Sequence, residues 1–203
     1  VKPESLESDF MGVKIKSAFE NSSFEVIAAH YRKNWQATGM IKQWTLGPTH
    51  NLPSDFGILE FEPDSKTKVW RYATCGMSQQ PDAPKLELHI LSRHQSAELI
   101  ELLTIVAHYH LTGDYLDLGH TVNFGRPWLN AATCEYGLIS LPYLDGPQLE
   151  WMEAYPAKIR FLWLVPITRA EREFKVANGV DALEEQFEKT NFQYTDPNRP
   201  SVI

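Results

Sequence analysis

The stretch Lys158–Gly179 constrains the fold more than any other part of the chain. Ile159 to Ile167 is an almost unbroken apolar run, interrupted only by Arg160 and Pro166. Rich in branched and aromatic side chains and too short to cross a bilayer, it predicts a strand covered on both faces. Pro166 cannot donate to a sheet ladder and is expected to mark the strand's end. Thr168 and Glu171 then stand at capping-box spacing, each able to satisfy the other's free amide. Phe174 and Ala177 follow on one helical face, and Asn178-Gly179 supplies the stop. A buried strand running into a capped helix requires a sheet with helices packed against it.

The chain has 203 residues, 43% of them hydrophobic, with six Trp and ten Phe, so one domain can build its core without covalent staples. Two cysteines, Cys75 and Cys134, are too few for a disulfide framework or a cysteine-only zinc site and read as reduced thiols. No apolar stretch is long enough to span a membrane, and the first 21 residues lack a signal peptide's apolar core. Asn21-Ser22-Ser23 fits the glycosylation pattern but carries little weight without a secretory signal. A cytoplasmic location is expected. Net charge is −7, which argues against nonspecific binding to nucleic acid or anionic membranes. Between His94 and Ala157 a single base, Arg126, faces eight acids, so this span carries the whole excess negative charge.

Taken in order, residues 1–21 read as an N-terminal arm. Ser22 and Glu25 form a second capping box ahead of Phe24, Ile27, Ala28, Tyr31 and Trp35, which share one face of a helix predicted over 23–37. Strands are predicted at 40–46, 57–62, 68–75 and 86–92, separated by clusters of Gly, Pro, Asn and Asp. The short loops favour an antiparallel meander. In the fourth strand Leu86, Leu88 and Ile90 alternate with Glu87 and His89, the period of a half-buried strand. A well-buried helix is predicted over 96–111. Strands at 121–124 and 136–141 follow, then a loop at 142–147, the long apolar strand, its helix, and a last helix over 181–190 with Leu183 and Phe187 together. The domain is predicted to span 22–191, and the tail 192–203 to be extended.

Ordered fragments along this chain resemble the suppressor-of-fused family. They are Trp70-Arg71-Tyr72 leading to Thr74-Cys75-Gly76-Met77-Ser78, then Leu86-Glu87-Leu88 and Gly119-His120-Thr121-Val122. The last is Phe161-Leu162-Trp163-Leu164-Val165-Pro166-Ile167-Thr168 with Glu171, followed by Gly179 and the closing helix. The resemblance runs from about Phe24 to Thr190. It implies a single α/β (α+β) domain with a central mixed, mainly antiparallel sheet flanked by helices, working by binding proteins. Eukaryotic members repress Hedgehog signalling by holding a zinc-finger transcription factor, and add a second domain and an acidic insertion that this chain lacks. Single-domain bacterial relatives look like immunity proteins that neutralise toxins passed between neighbouring cells, and this chain's length looks like theirs. Eukaryotic members carry an Asp directly before the motif histidine, which takes part in partner binding. Here that position is Gly119, before His120, while Tyr109 resembles a contributing tyrosine late in the preceding helix.

The residues themselves point to a docking surface. Between Arg126 and Lys158 the acids Glu135, Asp145, Glu150 and Glu153 interleave with Trp128, Tyr136, Tyr143, Trp151 and Tyr155. Aromatic side chains supply buried area and acids orient a basic partner, although the same aromatics serve equally well as core. The candidate partner-binding residues are Tyr109, His120, Trp128, Glu135, Tyr143, Asp145, Glu150, Trp151 and Glu153. A metal site at His108, His110 and His120 is disfavoured, because residues two apart on a helix face different ways and no HExxH or Cys-x-x-Cys pattern is present. Thiol catalysis at Cys75, with His89 and Glu87 nearby, lacks a following helix to lower the thiol pKa, and Gly76 reads as a tight-turn residue. Addition of a partner strand along an edge at Ile58–Glu62 is a further binding mode.

The resulting expectation is a non-catalytic protein-binding module that neutralises a basic toxin partner as an immunity protein. The alternative is a regulatory or scaffolding module that sequesters a protein partner, and the remotest is a thiol or metal-dependent enzyme. No cofactor, metal, nucleic acid, membrane or small-molecule substrate is expected.

Overall fold

The computed structural model describes residues 13–15 (backbone alone), 23–47, 49–79, 83–154 and 157–203. The apolar run forms the strand Ile159–Ile167 (β9) at the centre of a mixed sheet. The other strands are β1 (Val13–Ile15), β2 (Met40–Trp44), β3 (Gly57–Phe61), β4 (Trp70–Cys75), β5 (Leu86–Ser92), β6 (Thr121–Asn123), β7 (Tyr136–Ser140) and β8 (Trp151–Met152). Across the sheet they follow the order β1-β2-β3-β4-β5-β9-β7-β6, with β8 paired to the start of β9. Strands β2 to β5 form the predicted meander, β1, from the stretch read as an arm, adds to it antiparallel beyond β2, and β5 and β9 run parallel to each other. The sheet is open, and its outer strands among the described residues are β1 and β6.

Alternation along β9 distributes the helices over the two faces. Leu162 and Leu164 point into the cluster under the helix Ala97–Thr112 (α2). Phe161 faces the helix Ser23–Trp35 (α1), while Trp163, Val165 and Ile167 face Leu183 of the helix Val180–Lys189 (α5). A short helix Pro147–Glu150 (α3) precedes β8, and Arg169–Asn178 (α4) precedes α5. α1 buries Phe24, Ile27, Ala28, Tyr31 and Trp35, the five side chains its spacing selects. The helix stops at Gln36, which takes a positive φ of 51°, three residues before Gly39. Its Ser22 cap and the glycosylation pattern at Asn21 lie outside the described residues. The Thr168–Glu171 capping box forms with both reciprocal bonds, and Gly179 ends α4 at φ 94°.

Several expectations are corrected. Pro166 lies inside β9, not at its end, opposite Gly137 of β7. The ladder to β5 stops at Trp163, so no strand on that side needs the N–H that proline lacks. Gly137 is required there: a Cβ would stand 2.6 Å from both Leu164 and Phe124. β5 is buried along its whole length instead of half-buried, because it is an inner strand with helices on both faces. β3 is also an inner strand, hydrogen-bonded to β2 and β4, and therefore offers no edge at Ile58–Glu62.

The tail over 192–203 has no regular secondary structure, yet it is held against the domain. Arg199 is buried, and its guanidinium donates to both carboxylate oxygens of buried Glu171, at 2.6 and 2.7 Å. It also donates to the carbonyl of Pro166 at 3.0 Å and lies over the Phe192 ring. Burial alone would raise the Glu171 pKa, but Arg199 and the amides of Thr168 and Val202 hold it below the usual carboxylate range. One carboxylate thus caps α4 and anchors the tail.

Candidate protein-docking surface

After β7 the chain turns sharply, with the amides of Asp145 and Gly146 both donating to the carbonyl of Pro142. Gly146 takes a φ of 81°, a conformation that glycine adopts without strain. This turn puts Tyr143 and Leu144 in solvent, 59% and 53% exposed, and directs Asp145 inward. The Asp145 carboxylate accepts a 2.7 Å hydrogen bond from the Trp35 indole and stands 3.3 Å from Nε2 of buried His89. Burial pushes its pKa up, but the facing His89 imidazole and the bond from Trp35, with Arg71 nearby, bring it below the ordinary value. Asp145 therefore holds the loop from beneath, with its mostly buried side chain at the wall of the neighbouring recess.

The pinned turn separates two hollows. On one side a recess of about 500 Å³ lies between α1 and the 145–153 segment, with Asn34, Gln148 and Trp151 among its walls. On the other a groove of about 360 Å³ runs between α5 and the sheet. Tyr143, Leu144, Trp163, Val165, Phe187 and Phe192 give it apolar walls, and Glu184 and Glu188 stand at it. The Tyr143 hydroxyl donates to Glu184 at 3.0 Å, as does Ser140 at 2.6 Å. Burial, the bond to Glu184 and the nearby charges of Glu184, Glu188 and Asp181 raise the Tyr143 pKa to about 12.

The remaining predicted residues do not form one patch. Trp128 is fully buried in the core beside α2, so it is unavailable to a partner: its ring fills the space beneath that helix. Glu135 pairs with Arg169, next to Tyr136, which is opposite Ile167 at one end of β9. Trp151, 46% exposed, is opposite Arg160 at the other end, stacked under its guanidinium. Seven residues of strand separate those two positions, roughly 23 Å at 3.3 Å per residue. Glu150 bonds Arg160 at 2.8 Å and Glu153 pairs with Lys158. Tyr109, 40% exposed at the end of α2, packs on Gly113. His120 is exposed, following Gly119, which lies near Val180 at the start of α5. Tyr155 lies outside the described residues. The α5 acids were missed, although their signal was in the sequence: Asp181, Glu184, Glu185 and Glu188 share one helical stripe opposite Leu183 and Phe187.

The region around Cys75 is built for structure. Glu87, fully buried, accepts hydrogen bonds from the Thr74 and Ser78 hydroxyls at 2.6 and 2.7 Å. It also accepts from the amides of Gly76, Met77 and Ser78, which shapes a short 3-10 turn over Met77–Gln79. Cys75 is buried with its thiol donating to the Phe24 carbonyl, and burial pushes its pKa well up, the opposite of an activated nucleophile. His108 and His110 face different ways: His110 is buried against Pro84 and His108 is near His50. Among the described residues no group of three or more His, Cys, Asp or Glu side chains gathers as a metal site. No helix among them is long and apolar enough to cross a membrane.

The sequence pattern of the family described as Suppressor of fused protein matches residues 53–200. The chain belongs to the suppressor-of-fused family. Among solved structures it is similar to a protein from Neisseria gonorrhoeae described as a suppressor-of-fused homolog, at 34% identity and a TM-score of 0.80. That match covers 89% of this chain and 97% of the other. At 14% identity and a TM-score of 0.67 it shares its fold with a chain of the Sufu–Fu complex, over 89% of this chain and 92% of that one. Drosophila Suppressor of Fused gives 13% identity and a TM-score of 0.65, with 89% of this chain aligned to 51% of its length. No curated protein sequence matches the chain. Several of the fragments that mark the suppressor-of-fused family here have a physical task. Thr74–Ser78 wraps Glu87, Phe161–Ile167 is the central strand, and Glu171 joins helix cap to tail.

Proposed function

We propose that this chain is a non-catalytic protein-binding module that neutralises a basic protein partner, in the manner of an immunity protein. The observation that carries this reading is the exposed Tyr143–Leu144 pair, held on a turn locked from beneath by Asp145, beside a helix whose outer stripe is acidic. Large rigid apolar side chains next to oriented charge are what a specific interface needs at its centre. A Sufu–Fu complex has been crystallised, and membership of the suppressor-of-fused family, more than the shared fold, supports a protein-binding role.

The test is co-expression with the products of the genes that flank its own. A product that arrests growth alone, but not alongside this chain, and that binds it in calorimetry with slow dissociation, supports neutralisation. Failure of every neighbouring product to bind sinks the reading. Fast, micromolar binding without growth rescue would favour a regulatory or scaffolding module instead.

A further inference from the structure

The groove between α5 and the sheet has two properties that together describe an occupant. Its walls are apolar and aromatic, with Tyr143 and Leu144 well exposed at one side. Its charged lining is all of one sign: Glu184 and Glu188 line it, and none of its described lining residues is basic. Asp181 and Glu188 have no ion-pair partner among the described residues, whereas Lys189 of the same helix is engaged by Glu185.

From these features we propose that the groove receives one large apolar side chain from a lysine- or arginine-rich segment of the partner, whose cations pair with Glu184, Glu188 and Asp181. The inference rests on the protein-binding reading above and names the site and the segment it takes. A volume of about 360 Å³ is at the lower end of ligand pockets, which suits one or two side chains and not a helix. Nucleic acid is disfavoured because these acids repel phosphate. A second copy is disfavoured because this chain itself carries −7.

The experiment uses the full chain and three fluorescein-labelled heptapeptides, with binding read by fluorescence anisotropy. The first is Arg-Lys-Leu-Trp-Lys-Arg-Gly, the second has Glu at its four basic positions, and the third has Gly at Leu and Trp. The first peptide should bind saturably and the other two should not. Its affinity should fall at least about fivefold between low and physiological salt. Glu188→Lys, an exposed change, should weaken it about five- to tenfold. Leu144→Ser should weaken it as well, with unchanged circular dichroism and urea midpoint for both variants. Equal binding of the acidic peptide, or no effect of either variant, overturns the proposal. So does a concentration-dependent dimer that Leu144→Ser dissolves. If these variants leave capture of the cognate partner intact while Trp151→Ala abolishes it, the groove assignment fails and the protein-binding reading stands. If no product of a flanking gene binds the chain at all, the protein-binding reading fails as well.

Discussion

Replacing Arg199 with methionine tests whether the C-terminal segment is part of the domain. Arg199 is 3% exposed and Glu171 is fully buried, so the variant strands a carboxylate that loses its two short charge-assisted bonds. The amides of Thr168 and Val202 remain as partners, but neither carries a charge. Breaking one side of a buried ion pair costs about 3–5 kcal/mol. That is a large fraction of a total stability of about 5–15 kcal/mol. For a chain of this length it corresponds to a fall of ~10 °C in Tm. Urea unfolding followed by circular dichroism should show the midpoint dropping with little change in slope. The double variant Glu171→Leu with Arg199→Met removes both charges and should recover at least half of that loss, less a capping cost of ~1 kcal/mol. Phe192 and Tyr194 lie both in the held segment and along the groove, so the single variant should also weaken binding there. A single variant that loses less than ~1 kcal/mol, or a double variant worse than the single, would refute the reasoning.

Other perturbations follow from the same contacts. Glu87→Ala removes the acceptor for three amides and two hydroxyls and should cost at least ~3 kcal/mol in urea unfolding. The same variant should let a thiol reagent reach Cys75, which in the native protein should stay unlabelled until unfolding. Gly137→Ala places a methyl into Leu164 and Phe124 and should cost ~1–3 kcal/mol in urea unfolding. Acidification has a definite sign. Glu171 and Asp145 both have folded pKa values below their unfolded ones, so their stabilisation is complete above about pH 4.5. It is lost as pH falls through the folded values, and a urea-midpoint titration from pH 6 to pH 3 should decline accordingly, less steeply in Asp145→Asn.

How much of this was readable beforehand depends on the range over which each signal acts. Helix faces and caps are local, and α1, α2 and the Thr168–Glu171 box follow from spacing alone. Strand identity was also legible, because the turn residues between β2 and β5 punctuate the sequence. Strand position was not. Glu87 and His89 have the alternation of a surface strand, yet β5 lies inside the sheet, and each polar side chain finds its partner on a distant segment: Thr74 to Ser78 for one, Asp145 for the other. The attachment of the tail was hidden for the same reason. Its composition is that of a loop, and the Arg199–Glu171 contact that holds it spans 28 residues.

The candidate site shows the same limit for charge. The excess negative charge of residues 94–157 is real as a count, but folding brings cations from elsewhere to it: Lys158 to Glu153, Arg160 to Glu150 and Arg169 to Glu135. Within the segment Arg126 meets both Glu98 and Glu101, and Asp145 turns inward. Pairs of this kind contribute little to a long-range field, since each acid's potential is cancelled within a few ångströms. α5 gives up less of its charge. Four acids face one lysine, and the helix amphipathicity that buries Leu183 and turns Phe187 toward the groove sets those acids outward on a single stripe. A charge pattern locked to a helical period survives folding, because the period itself decides which face meets solvent. A patch assembled from a loop-rich segment has no such guarantee. The electrostatic attraction of this protein for a basic partner is therefore expected from α5 and not from the middle of the chain. Reversing Asp181 and Glu188 to lysine should slow association several-fold in stopped-flow measurements, while reversing Glu135 and Glu153 should change it little.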